Sequence, residues 1–328
     1  MVTLGNELRV SPMGFGCMGI TAFYGPSMGD EDAVALLTAA HRAGYAHFDT
    51  SEVYAVNDGK HNETQLGNFL KTVPRDSVTV ATKFYPAVYD HKCDLETVRG
   101  AVDASLSRLG LDYVDLYYCH RAPSTLDAAV EWMQSMKVLV QSGKVRHVGL
   151  SEFGTEWIRK LHAIHPVACV QQEWSLLTRN LEDTLVPVLK ELGIGVVAYS
   201  PLARNLLAAP TERPADGDWR LRTVPRYSEE NFAKNQELVA RIAAVAEARG
   251  TTVSQLSLAW LYQRAKDVDI PMVAIPGTTK VANATSNIAS LDLSLTEQEM
   301  DDLAELGKLV AGERGNEGYK AKALERWL

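Results

Sequence analysis

The residues best suited to chemistry are an acid and a phenol that lie five positions apart, Asp49 and Tyr54. The stretch 44–54 that holds them begins like a short buried strand and then turns polar, which predicts that a strand delivers Asp49 to an edge beside Tyr54. Two further strand-like runs end in ionisable groups, Lys83 and His120. Because the carboxyl ends of the strands in a parallel α/β barrel converge on one face, we expect these four side chains to meet there.

At these four positions the chain resembles the aldo-keto reductase family. Each residue type taken alone more often has a structural role, such as a helix cap or a solvated charge, but their joint order beside strands is a specific signal. The resemblance covers about residues 2–306 and implies a (β/α)8 TIM barrel. It also implies hydride transfer between a nicotinamide cofactor and an aldehyde or ketone, or the reverse reaction on an alcohol.

Reduction of a carbonyl needs a hydride on carbon and a proton on oxygen. A phenol has a pKa of about 10, so we expect it to need nearby positive charge that lowers this value, and Lys83 is the candidate. Asp49 is expected to pair with Lys83, because an unpaired buried ammonium is costly. The resemblance implies that Tyr54 is the general acid in reduction and the general base in oxidation, and that His120 orients the substrate oxygen.

Several motifs resemble those of a microbial and plant branch of this family, which includes pyridoxal and perakine reductases. They are Asp-Thr-Ser-Glu-Val-Tyr, which ends at Tyr54, the pair His120-Arg121, and Gln-x-Glu-Trp-Ser-Leu, together with a long loop at 203–230. The branch typically has Tyr where Trp174 stands. We expect that difference to change the wall of the pocket more than the chemistry.

Helix-like and strand-like segments alternate along the chain, which is typical of a parallel βα array. Helices are predicted at 30–43, 62–71, 94–109, 125–142, 154–164, 181–192 and 253–265, and strands at 45–49, 78–82, 113–118, 145–150, 168–171, 194–198 and 271–275. A hairpin at 2–10 is expected to plug the bottom of the barrel. Helices at 231–249 and 296–306 are expected to be additions to it.

The whole chain, 1–328, is interpreted as a single barrel domain. Residues 203–230 are rich in Pro, Arg, Gly and Asp and too long for an ordinary barrel connection, which predicts a functional loop or lid. The tail, 307–328, carries no pattern that we can interpret.

Three glycines, Gly14, Gly16 and Gly19, have the GxGxxG spacing of a dinucleotide-binding Rossmann fingerprint. That fingerprint should open directly into a helix, with an acid at the end of a second strand about twenty residues later. Here a loop at 20–29 follows instead. We therefore interpret the motif as the first barrel strand.

The resemblance implies a cofactor track along the later strand ends. Ser151 and Gln171 are expected to bind the nicotinamide carboxamide, and Tyr199 to stack on the ring. The complete set of predicted cofactor-binding residues is Gly16, Cys17, Met18, Asp49, Ser151, Glu152, Gln171, Tyr199, Ser200, Pro201, Leu202, Arg204, Ile275, Gly277, Thr278, Thr279, Lys280, Asn283 and Asn287.

The last part of this track, 275–280, decides the choice of cofactor. Backbone amides at a helix start, hydroxyls and Lys280 suit a 2′-phosphate, so we expect NADPH to be preferred over NADH. The family pattern has Arg at the position of Asn283 and Glu at that of Ser286. Loss of this Arg removes a bidentate phosphate clamp and keeps NADH as an alternative.

The predicted substrate pocket has an aromatic lining, consisting of Tyr24, Tyr54, Phe84, Tyr85, His120, Arg121 and Trp174. A regulatory subunit resembling the potassium-channel β-subunits is the alternative function, because those proteins keep the barrel and the four residues but serve a partner. A metal-dependent barrel hydrolase ranks last, since it needs clusters of His and Asp ligands at strand ends. No metal site is predicted.

The composition bounds the class of protein. A hydrophobic fraction of 46% with 23% charged residues is that of an ordinary globular domain, and a net charge of -8 argues against nucleic-acid or anionic-membrane partners. Four scattered cysteines without a CxxC pair, and an N-terminus without a basic and apolar leader, favour a reduced, cytoplasmic protein. We expect a small-molecule substrate and a monomer or weak homo-oligomer.

Overall fold

The computed structural model describes residues 1–55, 61–210 and 212–321. Eight parallel strands follow one another in chain order around a single sheet. Their bounds are β3 (Phe15–Gly16), β4 (His47–Asp49), β5 (Thr79–Phe84), β6 (Val114–Cys119), β7 (Val145–Ser151), β8 (Val167–Glu173), β9 (Gly195–Tyr199) and β10 (Met272–Ala274). A parallel bridge between Met13 and Ala274 joins the two edges, and the Gly14 N–H donates to the Ala274 carbonyl at 2.9 Å. The predicted (β/α)8 barrel is confirmed.

Helices follow most strands and cover the outside of the sheet. They are α1 (Asp30–Arg42), α2 (Asn62–Leu70), α3 (Leu95–Leu109), α4 (Leu126–Gln141), α5 (Thr155–Ile164), α6 (Leu181–Thr184), α7 (Val186–Leu192), α8 (Trp219–Thr223), α9 (Glu229–Ala248), α10 (Val253–Asp267), α11 (Val281–Ile288), α12 (Glu297–Gly307) and α13 (Glu317–Lys320). Side-chain caps fix several starts: Asp94 accepts from Thr97 N–H, and Thr296 with Glu299 forms a capping box. In the described part of the chain no helix is long and apolar enough to cross a membrane.

The N-terminal hairpin closes the bottom of the barrel, as expected. Its strands, β1 (Val2–Leu4) and β2 (Leu8–Val10), pair in antiparallel fashion, and Leu4 and Leu8 join a buried cluster with inward-facing barrel residues such as Val197. At the turn, Gly5 has φ 58°, and a Cβ there would lie 2.8 Å from the Ala168 Cα. The turn therefore needs glycine for both its conformation and its close approach.

The structure refines three sequence predictions. The predicted helix at 181–192 is divided into α6 and α7, since Pro187 follows directly after the start of the second helix. The predicted loop at 203–230 contains short helices, including α8 and a 3-10 helix at Ala203–Ala208, and passes into α9 at Glu229. The described part of the tail, 307–321, contributes α13 and the buried Arg314. The predicted added helices correspond to α9 and α12.

Candidate active site

The four residues predicted to act together lie at the carboxyl ends of three adjacent strands. Asp49 is the last residue of β4, Lys83 lies near the end of β5, and His120 follows β6 directly. The Lys83 ammonium, which is fully buried, donates to Asp49 Oδ1 and, at 2.7 Å, to the Thr50 carbonyl. This buried ion pair forms because strand pairing places Asp49 opposite Ala81, two residues before Lys83.

Tyr54 completes the group from the loop after β4. Its ring centroid lies 5.1 Å from Lys83 Nζ, and its ring meets that of His120 edge-on at 5.7 Å between centroids. The Tyr54 carbonyl accepts from Thr21 Oγ1 at 3.0 Å and from the Asn62 N–H at 2.9 Å. These bonds hold the loop on both sides of residues 56–60, which lie outside the described part of the chain.

Asn62 is a supporting residue that the sequence did not reveal. Its side chain accepts from Thr50 Oγ1 at 2.6 Å and donates to the Cys17 carbonyl at 2.9 Å and to Thr21 Oγ1 at 2.8 Å. The amide is buried, and its hydrogen bonds join the segment after β3 to the segment after β4. The cap of this helix is His61, and two of the partners of Asn62 lie more than 40 positions earlier in the chain, so no local pattern indicated the role of Asn62.

The protonation states of the site follow from its burial and its charges. Burial raises the pKa of the Tyr54 phenol above its ordinary value, while the Lys83 ammonium works in the opposite direction. Burial would lower the pKa of Lys83, but Asp49 and Tyr54 raise it more strongly, so the ammonium is retained. The structure therefore differs from the expectation of a lowered phenol pKa. Because desolvation outweighs the cation, Tyr54 is held in its protonated, proton-donating form.

His120 is a neutral imidazole in this environment. Burial lowers its pKa well below the ordinary value, and Lys83 and Arg121 lower it further. Its Nδ1 lies 2.9 Å from Ser51 Oγ, and the Tyr85 ring packs edge-on against it at 5.3 Å between centroids. When Ser51 donates to Nδ1, the remaining ring hydrogen is on Nε2.

The predicted carboxamide-binding residues lie on the next two strands. Ser151 ends β7 and pairs in register with Gln171 of β8. Gln171 Nε2 donates to Asp49 Oδ2 at 2.7 Å, and Arg121 Nη1 donates to Ser151 Oγ at 3.3 Å. The amide of Gln171 is thus oriented by the carboxylate of the tetrad, so the two predicted groups are physically connected.

The ends of the first and last barrel strands touch through glycine. A Cβ on Gly16 would lie 2.7 Å from the Ile275 carbonyl oxygen, and a Cβ on Gly277 would lie 2.6 Å from the Gly16 carbonyl oxygen. Cys17 and Met18 follow in a 3-10 helix, Cys17–Ile20. No side chain fits between these backbones, so this is a place of close backbone approach.

The predicted phosphate-binding stretch forms the start of α11. Thr278 Oγ1 accepts from the Lys280 N–H at 3.1 Å and from Asn283 Nδ2 at 3.3 Å. Thr279, Lys280 and Asn283 are exposed, whereas Asn287 is buried. The stretch therefore offers exposed hydrogen-bond donors and a cation at a helix N-terminus.

A buried charge network surrounds the other predicted cofactor residues. Glu152 accepts two hydrogen bonds from Arg314, each at 2.9 Å, and a third from Tyr199 Oη at 2.6 Å. Burial would raise the pKa of Glu152, but Arg314 lowers it to about 2. Arg204 donates to Glu173 Oε2 at 2.9 Å. Arg314 had no sequence signal, and Glu173 was noted only as part of the Gln-x-Glu-Trp-Ser-Leu motif. The two residues contact each other at 3.1 Å from positions 141 residues apart.

The C-terminal segment 312–321 reaches this network through Tyr319. The Tyr319 hydroxyl lies 2.7 Å from the Tyr199 hydroxyl and accepts from Arg204 Nη2 at 2.7 Å. Its ring also lies beneath the Arg121 guanidinium, 6.0 Å from Cζ to the ring centroid. The tail, which has no interpretable sequence pattern, therefore contacts two predicted cofactor-binding residues, Tyr199 and Arg204, and one predicted pocket residue, Arg121.

Ser200, Pro201 and Leu202 form the turn that leads into this network. Ser200 has φ 48°, and Ala203 to Asn205 continue with positive φ. These residues are left-handed although none is glycine, and together they form a sharp turn of the chain. Arg204 at the centre of the run is buried. The turn places the guanidinium against Glu173.

The predicted pocket residues divide into two groups. Tyr85 contacts His120, and Tyr24 lies against Trp219, 5.9 Å between ring centroids, with Arg220 stacked on it. Phe84 and Trp174, in contrast, are buried in the core beneath the helices, where Phe84 stacks on Tyr89 and Trp174 Nε1 donates to Glu182 at 3.1 Å. This corrects the prediction for these two residues, because alternate strand residues point to opposite faces and their neighbours Lys83 and Glu173 take the inner face.

The site is shielded, and the residues described around it form no metal cluster. Tyr54 and His120 are 8% and 9% exposed, respectively. Within residues 1–55, 61–210 and 212–321, no group of three His, Cys, Asp or Glu side chains is placed to hold a metal ion. All four cysteines are buried thiols without disulfides. Two grooves of about 550 and 280 Å³ lie on the outer surface between helices, lined by residues such as Ala39 and Gly67, away from the tetrad.

Together these features define a (β/α)8 barrel with a buried Asp-Lys-Tyr-His centre at the carboxyl ends of its strands. A family model described as "Aldo/keto reductase family" matches residues 12–308. The chain belongs to the aldo/keto reductase family, and this membership supports oxidoreductase activity on carbonyl compounds.

Individual relatives agree with this assignment. "Probable aldo-keto reductase 1" from Glycine max is 39% identical over 321 residues, which cover 95% of this chain and 90% of that protein. The thermostable aldo-keto reductase Tm1743, solved with the inhibitor epalrestat, is 28% identical with a TM-score of 0.73, covering 93% of this chain and all of that one. An aldo-keto reductase from Klebsiella pneumoniae in complex with NADPH has the same identity and a TM-score of 0.71, covering 93% and 95%. These names give no support to the regulatory-subunit alternative.

Proposed function

We propose that the protein is an NADPH-dependent reductase of aldehydes or ketones, which also oxidises the corresponding alcohols. The observation that carries this proposal is the packing of a phenol, a buried ammonium paired with a carboxylate, and a neutral imidazole within one group. This set can move a proton to an oxygen atom without itself needing a metal.

Tyr54 is the proposed proton donor in reduction. Its raised pKa keeps the proton on the phenol at neutral pH, and Lys83 stabilises the phenolate that remains after transfer. Asp49 holds the ammonium in position through the ion pair. In oxidation the same phenolate accepts the proton from the alcohol, so one residue serves both directions.

His120 is the proposed orienting group. As a neutral imidazole with Ser51 on Nδ1, it presents an Nε2 hydrogen to the substrate oxygen. A protonated imidazole would place a second positive charge beside Lys83, which the buried site disfavours. The substrate carbonyl is therefore held between two neutral donors, the phenol and the imidazole.

The residues present fit a nicotinamide cofactor. A bound reduced nicotinamide would supply the hydride. Ser151 and Gln171 offer hydrogen-bonding groups beside the tetrad, and Tyr199 offers an aromatic face at the end of the next strand. The close backbone approach at Gly16 and Gly277 adds a surface with no side chains. The structural neighbour from Klebsiella pneumoniae was crystallised with NADPH.

Preference for NADPH over NADH is part of the proposal. Lys280 and the amides and hydroxyls at the start of α11 suit a phosphate group. Asn283 stands where the family pattern has Arg, so we expect the preference to be weaker than a bidentate clamp would give. The proposed branch, with pyridoxal and perakine reductases, rests on the motifs around Tyr54, Arg121 and Trp174.

The test is turnover of NADPH with a panel of simple aldehydes and ketones, with the wild type and Tyr54→Phe. We expect oxidation of NADPH by the wild type and a loss of about 100- to 10,000-fold in kcat for the variant, with NADPH binding retained. Tyr113→Phe is the matched control, because Tyr113 precedes β6 at the end far from His120 and stacks on Arg75. Tight NADPH binding without turnover of any carbonyl would favour a regulatory role instead.

A further inference from the structure

Arg121 is a cation beside the tetrad, and the proposed reaction gives it no role. It follows His120 in the chain, is half-buried, and uses Nη1 to donate to the His120 carbonyl at 2.9 Å and to Ser151 Oγ at 3.3 Å. Within the described part of the chain, Nε and Nη2 have no hydrogen-bond acceptor. One edge of the guanidinium is thus fixed by the active site and the other retains its donors.

The neighbouring carboxylates are already paired with other cations. Asp49 pairs with Lys83, Glu152 with Arg314, and Glu173 with both Arg204 and Arg314. Among the residues that the structure describes, Arg121 has no carboxylate within 4.0 Å. The tetrad and the network beside it therefore contain four cations and three carboxylates, and Arg121 is the cation without a direct partner.

Arg226 shows how a structural arginine in this region differs. Arg226 is buried, and its Nε, Nη1 and Nη2 each donate to a neutral oxygen, of Gly312, Thr178 and Leu177, respectively. All of its nitrogens are thereby engaged in joining loops. Arg121 has no such set of acceptors in the described part of the chain, and it is only half-buried, so its remaining donors are open to water or to a ligand.

The surroundings of Arg121 are those of the reacting centre. Burial is the main reason that the pKa of His120 is lowered, and the charge of Arg121 lowers it further; the same charge opposes the burial that raises the pKa of Tyr54. The Tyr85 ring packs on His120 on one side, and the Tyr319 ring lies beneath the guanidinium on another. An anion placed between these rings would be partly shielded from water, which strengthens its attraction to the guanidinium.

We propose that Arg121 is the specificity-determining residue of an anion subsite that binds a carboxylate on the carbonyl substrate. A guanidinium presents parallel N–H donors that match a carboxylate in bidentate geometry. Since Arg121 and His120 are consecutive, a bound carboxylate anchors the substrate next to the groups that receive its carbonyl oxygen. The favoured substrates are therefore aldehydes or ketones that also carry a carboxylate.

The inference rests on the proposed reductase function, and a paired-substrate assay separates the two. The substrates are ortho-, meta- and para-carboxybenzaldehyde and their methyl esters, measured as NADPH oxidation by the wild type, Arg121→Met and Arg121→Lys. We expect the ratio of kcat/KM for acid over ester to fall about 10- to 100-fold in Arg121→Met for the preferred isomer. Arg121→Lys keeps the charge but loses the fork, so its ratio lies between the two.

The comparison of ratios removes the intrinsic reactivity of each aldehyde, because the same substrates are used throughout. The exposed Arg159, which pairs with Glu191, provides the control Arg159→Met, whose ratio should equal that of the wild type. An equal loss for acids and esters in Arg121→Met would assign Arg121 to the electrostatics of Tyr54 and overturn the subsite. An unchanged ratio would overturn it as well.

A second source of anion is the cofactor itself, and NADPH titration of Arg121→Met distinguishes it. We expect the affinity of Arg121→Met for NADPH to stay within about threefold of that of the wild type. This change is smaller than the tenfold that corresponds to 1.4 kcal/mol. A tenfold weaker affinity together with an unchanged substrate ratio would assign Arg121 to the cofactor phosphates. Absence of turnover with every aldehyde would overturn the reductase function and this inference together, whereas turnover without acid preference would overturn the inference alone.

Discussion

The two halves of the barrel mouth neutralise their buried charges in different ways. On the side of β4 to β6, Asp49 and Lys83 form one compact ion pair between adjacent strands. On the side of β7 to β9, Glu152 and Glu173 depend on Arg314, which arrives from the far end of the chain. The first half is complete once the strands have paired. The second half requires the C-terminal segment to dock, so its stability and its shape are linked to that segment.

Glu52 and Glu152 show how differently a carboxylate behaves with and without a paired cation. Glu52 and Glu152 both lie beside the active site and both are shielded from water. Burial raises the pKa of Glu52 to about 7, although the Tyr85 N–H and the Tyr89 hydroxyl donate to it. The guanidinium of Arg314 brings the pKa of Glu152 down to about 2 despite its burial. Hydrogen bonds from neutral donors did not outweigh desolvation, whereas a paired cation did.

The largest effect is expected from Lys83→Met, which breaks the compact pair. The buried Asp49 carboxylate loses its cation, and we expect the free energy of unfolding to fall by about 3–5 kcal/mol. Turnover should fall by about 100- to 10,000-fold, because the phenolate of Tyr54 is no longer stabilised. Urea unfolding and steady-state NADPH oxidation measure the two losses.

The double variant Asp49→Asn with Lys83→Met is the control for this pair. It removes both charges, so stability should recover by part of the loss, while turnover stays low. If the double variant is as unstable as the two single changes added together, the ion pair does not couple these residues, and the contrast between the two halves fails.

Arg314→Met tests the second half and should mainly affect stability. Glu152 loses its cation, and Glu173 keeps only Arg204 among its present cationic partners in the described chain, so we expect a loss of about 3–5 kcal/mol at pH 7. The pKa of Glu152 is below its unfolded value, so the pairing stabilises the fold above about pH 4.5 and this contribution is lost as pH falls toward 2. The difference between wild type and variant should therefore shrink in acid.

The matched control for Arg314→Met is Arg159→Met, the same change in the exposed pair with Glu191. Exposed pairs contribute about 0–1 kcal/mol, so this variant should be close to the wild type at every pH. A large and pH-independent loss in Arg314→Met would indicate lost packing of the side chain rather than lost charge.

Glu52→Gln tests a half-buried carboxylate on the β4 side of the mouth that has no salt-bridge partner in the described chain. The folded pKa of about 7 lies above the unfolded value near 4.5, so the folded protein binds the extra proton and wild-type stability declines as pH rises from about 4.5 to 7. The neutral amide lacks this decline. The free energy of unfolding of the variant minus that of the wild type should be on the order of 2 kcal/mol larger at pH 8 than at pH 4.5. Urea unfolding at both pH values measures it, and a difference that does not change with pH would contradict the assigned pKa.

The sequence was sufficient for the first half of the site because the signal there is local. Asp49, Lys83 and His120 each end a strand whose alternation is visible, and parallel strands must bring such ends together. Phe84 was predicted to line the pocket because it follows Lys83 at a strand end. Successive residues of a strand point to opposite faces, so Phe84 points away from the face that Lys83 occupies. Counting positions from Lys83 along β5 corrects it.

The second half was not predictable from local patterns. Arg314 and Tyr319 lie in a tail without periodicity. Glu152 and Glu173 lie 162 and 141 positions before Arg314, and Tyr199 lies 120 positions before Tyr319. Ion pairs formed over such distances depend on how the tail docks, and a single sequence contains no record of it. Asn62 was missed because two of its side-chain partners, Cys17 and Thr21, lie 45 and 41 positions earlier in the chain.

The smallest effect is expected from Tyr319→Phe, which removes one hydroxyl from the second half. This hydroxyl bonds to Tyr199 and Arg204, both of which we propose to contact the cofactor. Its loss should lower the free energy of unfolding by about 1 kcal/mol, since Tyr199 keeps its bond to Glu152. If the tail competes with the cofactor for these groups, the same change should strengthen NADPH binding by up to about fivefold. Fluorescence titration with Tyr113→Phe as the control measures this, and weaker binding would instead make Tyr319 part of the wall of the cofactor-bound site.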